Sequence, residues 1–242
     1  MMAKGVTDQF SVTSFHLDET LDVLTYLPPH YSTENRYPMI IAQDGKDFFQ
    51  LGRVVRILDE LILTGQIEPV LFFGVPYQNV ADRYQKYHPA GEKNEAYIQF
   101  LYEELLPVIE GKFSVASGGQ NRALAGDSLA ATVSFMTTLT VPKIFSKVLL
   151  FSPYVDDQVL AEARSFQDWN DLTIYHVVGL EERNVKLSSG GVMDFLAENR
   201  RLKNIIPNHV KRYFYEEFSG DHTWKYWQKD LPRAFTYLFP KI

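Results

Sequence analysis

The chain has 242 residues, 45% of them hydrophobic and 22% charged, which suits one folded α/β unit spanning residues 1–242 and excludes a disordered or fibrous chain. With no cysteine it has no disulfide framework, thiolate metal site or cysteine nucleophile. A net charge of −6 without a concentrated basic stretch argues against nucleic acid as a partner.

No apolar run reaches the roughly 18 residues that a membrane span requires. Met1 to Phe10 lacks the apolar core of a secretory signal, so no membrane partner and a cytoplasmic location are expected.

In chain order, Phe10 to Leu17 and Thr20 to Leu27 alternate apolar and polar residues, predicting a β-hairpin that Pro28-Pro29 ends. Tyr37 to Ala42 is a short apolar run, as in a strand buried on both faces, and it stops at Gln43-Asp44-Gly45-Lys46-Asp47. Leu51 to Ile67 carries Val54, Val55, Leu58, Leu61 and Ile62 at helical spacing. Val70 to Val75 is a second buried strand. It leads into a polar, tyrosine-rich loop, Tyr77 to Asn94, long enough to wall or cover a site.

Tyr97, Phe100, Leu101, Leu105, Val108 and Ile109 predict a helix in which Pro107 introduces a kink or opens the last turns. After a small-residue loop from Ser114 to Gln120, Ala123 to Ala125 reads as a strand that turns at Gly126-Asp127-Ser128 into a helix ending near Leu139. Lys147 to Pro153 and Thr173 to Gly179 are buried strands separated by a helix and loop from Gln158 to Asp171. A helix from Gly191 to Ile206, a strand from Val210 to Phe218 and a helix from Thr223 to Phe239 complete the chain. This alternation predicts an α/β fold with a mostly parallel central sheet of about eight strands and helices on both faces.

In such sheets ligands bind beyond the carboxyl ends of the strands, so the residues following each strand carry the chemistry. Those are Asp44-Gly45, Ser128, Glu181-Glu182 and Asp221-His222. A serine on a strand-to-helix turn is an exposed nucleophile beside free helix amides, although the same serine also suits a helix N-cap. An ordinary hydroxyl needs a base, and the base needs an orienting carboxylate. His222 is the candidate base, with the acid expected from Glu181 or Glu182. Asp221 is disfavoured, because neighbouring side chains in a loop rarely face each other. The resulting order of serine, acid and histidine is that of the α/β-hydrolase fold. The six histidines show no metal-ligand spacing, so neither a metal nor another cofactor is expected.

Several segments together resemble the enterochelin-esterase-like, or esterase D, branch of the α/β-hydrolases. They are Tyr26-Leu27-Pro28-Pro29-His30-Tyr31, Asp44-Gly45, Phe100-Leu101-Tyr102-Glu103-Glu104-Leu105-Leu106-Pro107, Ala125-Gly126-Asp127-Ser128, Phe151-Ser152-Pro153, and Asp221-His222-Thr223-Trp224 with Trp227. The similarity runs from about Leu21 to Phe239. It implies a serine esterase acting on a small-molecule ester, with Ser128 as nucleophile and His222 as base. It further implies oxyanion amides from Leu129 and from Gly45 or Lys46. Among the two acids, Glu182 is favoured by its spacing from Gly179, with Glu181 second. Asp44, Asp127, Tyr154 and Trp224 flank these motifs and are expected at the substrate. Ala130 and Ala131 depart from the pair of glycines usual in the family, which makes a looser turn an expectation.

The same triad would serve an acyltransferase, and a hydrolase-fold binding protein without turnover is a third reading. Arg83, Lys86 and His88 on the tyrosine-rich loop would suit an acidic or catechol-bearing ester such as a siderophore lactone. The sequence carries no sign of oligomeric state.

Overall fold

The computed structural model describes residues 4–241; Met1 to Ala3, part of the segment read as lacking a leader, lie outside the described residues, as does Ile242. The chain runs β1 (Val6–Ser14), β2 (Glu19–Leu27), β3 (Met39–Gln43), α1 (Gly45–Gln50), α2 (Val54–Leu63), β4 (Leu71–Val75) and α3 (Val80–Tyr87). Next come α4 (Asn94–Gln99), a π-helical turn (Phe100–Leu105), α5 (Leu106–Lys112), β5 (Arg122–Asp127), α6 (Leu129–Thr140), β6 (Lys147–Phe151) and α7 (Asp157–Ser165). The last third holds β7 (Thr173–Gly179), a small hairpin of β8 (Val185–Lys186) and β9 (Val192–Met193), α8 (Phe195–Ile205), β10 (Arg212–Phe218) and α9 (Trp224–Leu238).

The main sheet has 8 strands in the order β1-β2-β4-β3-β5-β6-β7-β10. β2 is antiparallel to both β1 and β4, and every pairing from β4 onward is parallel. The hairpin therefore closes one edge, and six parallel strands present their carboxyl ends together. Alternation sorts the side chains of each strand. Met39 and Ile41 join Leu124, Val148 and Ile174 beneath α4 to α7, whereas Ile40 and Ala42 join Phe72, Leu149 and Tyr175 beneath α2 and α9. Both faces being covered, β3, β4, β5 and β7 are buried throughout, and the centres of β3 and β4 read as apolar runs.

The structure departs from the sequence-based elements in four places. The helix expected over Leu51 to Ile67 is the shorter α2, which starts only at Val54 because Arg53 before it takes a left-handed conformation (φ 52°), and a separate helix, α1, precedes it over Gly45–Gln50. The expected loop from Tyr77 to Asn94 contains α3, started by Asn79, whose side chain accepts from the Asp82 N–H at 3.0 Å. Ahead of Pro107 the helix widens, with the Leu106 N–H donating to the Leu101 carbonyl, so the missing proline N–H falls where the register changes. The start of the expected Gly191 to Ile206 helix is β9, and α8 begins only at Phe195, capped by Asp194. Among the described residues, no helix is long and apolar enough to cross a membrane.

Candidate active site

Ser128 joins β5 to α6 with φ 54° and ψ −125°, a conformation costly for a residue with a side chain. The neighbouring backbone holds it there. Its N–H donates to the Phe151 carbonyl at 2.9 Å, and its own carbonyl accepts from the N–H groups of Thr132 (3.1 Å) and Tyr154 (3.2 Å). The turn is tight enough that a Cβ on Gly126 would lie 2.2 Å from the Ala130 carbonyl carbon, so this position admits glycine alone. Ala130 and Ala131 are fully buried, and their methyl groups fit where the family resemblance led us to expect glycines. Although Ser128 occupies the N-cap position, its hydroxyl makes no capping bond, so the capping role it also suited is unfilled.

The next group is a carboxylate and an imidazole brought from separate loops. Glu182 follows β7 and is 1% exposed, while Glu181 beside it points to solvent. One carboxylate oxygen of Glu182 accepts from the Ser152 hydroxyl at 2.6 Å and from the Gly179 N–H at 2.7 Å; the other lies 2.7 Å from His222 Nδ1. The Trp227 indole N–H in turn donates to Ser152 Oγ at 3.2 Å. A Cβ on Gly179 would sit 2.7 Å from this carboxylate, which explains the glycine at the end of β7. The His222 ring is held edge-on between Phe195 and Trp227, with centroids 4.5 and 4.9 Å away. With Nδ1 engaged, Nε2 is the free ring nitrogen. Ser152 belongs to the Phe151-Ser152-Pro153 motif, and sequence reasoning missed its role here. The signal was a serine after a buried strand, although its partner lies 30 residues away.

Ser128, Leu129 and His222 line one cavity of about 180 Å³ with Arg83, Tyr84, His88, Tyr154, Phe195 and the Val185 to Ser189 segment. Among the described residues, no hydrogen bond of 3.5 Å or less joins the Ser128 hydroxyl to the His222 ring. The amides of Leu129, at the start of α6, and of Gly45 and Lys46, at the start of α1, have no acceptor among the described residues. A larger surface hollow of about 570 Å³ between Lys4, Arg53, Asp59 and Leu63 contains none of these groups. Among the described residues, no three metal-ligating side chains converge.

Of the side chains expected at the substrate, Tyr154 lines the cavity and the other three do not. Trp224 packs edge-on against Phe48 and Trp227 at 4.8 and 5.8 Å. Asp44 and Asp127 are buried behind the elbow. Arg83 donates Nε and Nη2 to Asp44 (2.8 and 2.6 Å), and Nη2 also reaches the Asp127 carbonyl at 3.3 Å. Lys86 is likewise not on the cavity: it is 2% exposed and paired with Asp82 and Glu19, so of the three basic residues of that segment only Arg83 and His88 face the space. One guanidinium thus pairs with the buried carboxylate of Asp44 and, at Asp127, reaches only the backbone carbonyl. Burial first, and the nearby Asp44 second, push the Asp127 carboxyl well above the usual carboxylate range. Among the described residues, Asp127 Oδ1 has no hydrogen-bond partner.

The family described as "Putative esterase" matches residues 14–238. The uncharacterized protein YjcH of Bacillus subtilis (strain 168) is 41% identical over 224 residues, covering 93% of either chain. Among solved structures, a ferulic acid esterase superposes with a TM-score of 0.76 at 16% identity, over 98% of this chain and 99% of the other. The enterobactin esterase of Shigella flexneri superposes with a TM-score of 0.83 at 17% identity, over 96% of this chain and 59% of that longer one. The match over nearly the whole length, on this sheet order, places the chain in the "Putative esterase" family, as an ester hydrolase of the α/β-hydrolase fold.

Proposed function

We propose that the chain hydrolyses a small carboxylic ester through an acyl-enzyme, with Ser128 as nucleophile, His222 as general base and acid, and Glu182 as the carboxylate that orients the ring. The observation that carries this reading is the 2.7 Å contact between Glu182 and His222 Nδ1 at the wall of the cavity that Ser128 also lines. In the first step Ser128 Oγ adds to the ester carbonyl as its proton passes to His222 Nε2. The negative oxygen is met by the free amides of Leu129 and of Gly45 or Lys46. The tetrahedral centre then expels the alcohol, which takes the proton from His222. Water, deprotonated by His222, adds to the acyl-serine, and its collapse releases the acid and returns the proton to Ser128. Glu182 holds the ring in orientation and supports the imidazolium.

The size of the space limits the substrate. An apolar cavity of about 150 Å³ holds one benzene ring. About 180 Å³ therefore suits a short acyl chain or a single ring, with the remainder of a larger ester outside.

The test is p-nitrophenyl acetate hydrolysis and fluorophosphonate labelling of the wild type and Ser128→Ala. The wild type is expected to react with both. The variant should lose labelling, and its kcat should fall on the order of 10⁵-fold or more. Equal rates in the two proteins, or labelling that survives the substitution, would defeat the assignment.

A further inference from the structure

The wall of the cavity contains a histidine and a tyrosine, His88 and Tyr154, that the hydrolytic steps do not use. The Ala90 N–H donates to His88 Nδ1 at 3.0 Å, so that nitrogen carries a lone pair and the neutral ring bears its hydrogen on Nε2. His88 Nε2 lies 3.1 Å from the Tyr154 hydroxyl, and with this tautomer the histidine donates and the phenol oxygen accepts. Burial lowers the His88 pKa, which keeps the ring neutral, and burial with Asp156 nearby raises that of Tyr154 to about 12, which keeps the phenol protonated. The phenol hydrogen has no protein acceptor among the described residues.

This donor is held in place. Tyr154 donates its backbone N–H to the Ser128 carbonyl (3.2 Å) and accepts at its own carbonyl from the Thr132 hydroxyl (2.6 Å), so the segment that carries the phenol is fastened to the elbow, and Tyr154 and Ser128 line the same cavity. Its ring lies against His88 at 4.9 Å and Phe195 at 6.2 Å, and His88 is stacked on Tyr84 at 4.5 Å.

We propose that Tyr154, set by His88, is a hydrogen-bond donor that selects esters bearing an acceptor oxygen, ether or hydroxyl, close to the scissile carbonyl. The inference rests on Ser128 being the nucleophile. A hydrocarbon isostere covering this wall would leave the phenol hydrogen without an acceptor, and a site built to hydrogen-bond its substrate discriminates strongly against the analogue lacking that atom. His88 acts through Tyr154 and is a positioning residue.

The experiment compares kcat/KM for two isosteric pairs: p-nitrophenyl methoxyacetate with p-nitrophenyl butyrate, and 2-methoxyethyl acetate with butyl acetate. The first places the oxygen in the acyl group, the second in the alcohol. Dividing each pair's ratio in a variant by its ratio in the wild type cancels the intrinsic reactivity of the esters. Tyr154→Phe keeps the ring packing and should lower the ratio about tenfold in one of the two pairs. His88→Phe, which keeps the stack on Tyr84, should lower the same ratio, and the double variant should lose no more than Tyr154→Phe alone. Ratios unchanged within about twofold in both pairs, in an enzyme that still hydrolyses them and is labelled by fluorophosphonate, would overturn the role of Tyr154 by itself. A wild type that neither hydrolyses the esters nor takes the label would overturn the nucleophile reading, and this inference with it.

Discussion

Glu182 illustrates how much one buried carboxylate is asked to do. Two donors on one oxygen, Ser152 and Gly179, prevent it from rotating, and the second oxygen is thereby aimed at His222. Glu182→Gln keeps the size but presents an amide that can favour the wrong imidazole tautomer. On the triad reading, kcat for p-nitrophenyl acetate should fall roughly 10³- to 10⁴-fold, with the substitution at exposed Glu181 as the control. Asp127 makes a different prediction. Because its pKa is raised, the folded chain keeps a proton that the unfolded chain loses above about pH 4, so this residue makes stability fall as pH rises from there toward neutrality. Asp127→Asn should remove that slope. Melting temperatures measured from the acid range to neutral pH should decline less in the variant than in the wild type, and parallel curves would refute the assignment.

At the scale of elements, the junction of β5 and α6 is where packing and chemistry meet. Gly126 allows the strand to touch the first turn of the helix, and Ser128 is strained because they touch. Gly126→Ala should force the two apart, at a cost of about 3 kcal/mol in urea unfolding, and should lower activity beyond what the lost stability explains. The strand, turn and helix were legible from Ala123 to Leu139, since small residues followed by helix formers are a local signal. α3 was not. Its residues, Val80 to Tyr87, include Asp82, Arg83 and Lys86, and their helix is secured by the Asn79 cap and by ion pairs to Asp44 and Glu19 from other parts of the chain. The short α1 was missed for a similar reason, since Gly45 at its start reads as a turn.

Across the whole molecule, the aromatic residues connect the sheet to the helices that support the site. Phe72 in β4 contacts Phe48 and Phe49 of α1 at 5.7 and 5.8 Å and Phe235 of α9 at 6.4 Å. It joins α1, whose first amides the proposed mechanism gives to the oxyanion, to α9, which carries Trp227. Phe72→Ala should cost about 3 to 5 kcal/mol, seen as a lower urea midpoint with an unchanged slope, because a cavity would open between three packed elements. The family and the fold class follow from the chain itself: buried parallel strands announce themselves as apolar runs, and motifs such as Gly126-Asp127-Ser128 and Asp221-His222 are contiguous. Periodicity and short motifs are local properties, written in residues a few positions apart. What only the tertiary structure decided is which side chains meet across long separations: Ser152 with Glu182, Arg83 with Asp44, His88 with Tyr154, and Asp44, Asp127 and Trp224 turned away from the cavity. Those meetings depend on how β5, β6 and β7 stack in register and on which loops their ends carry, and burial then assigns each charge its partner.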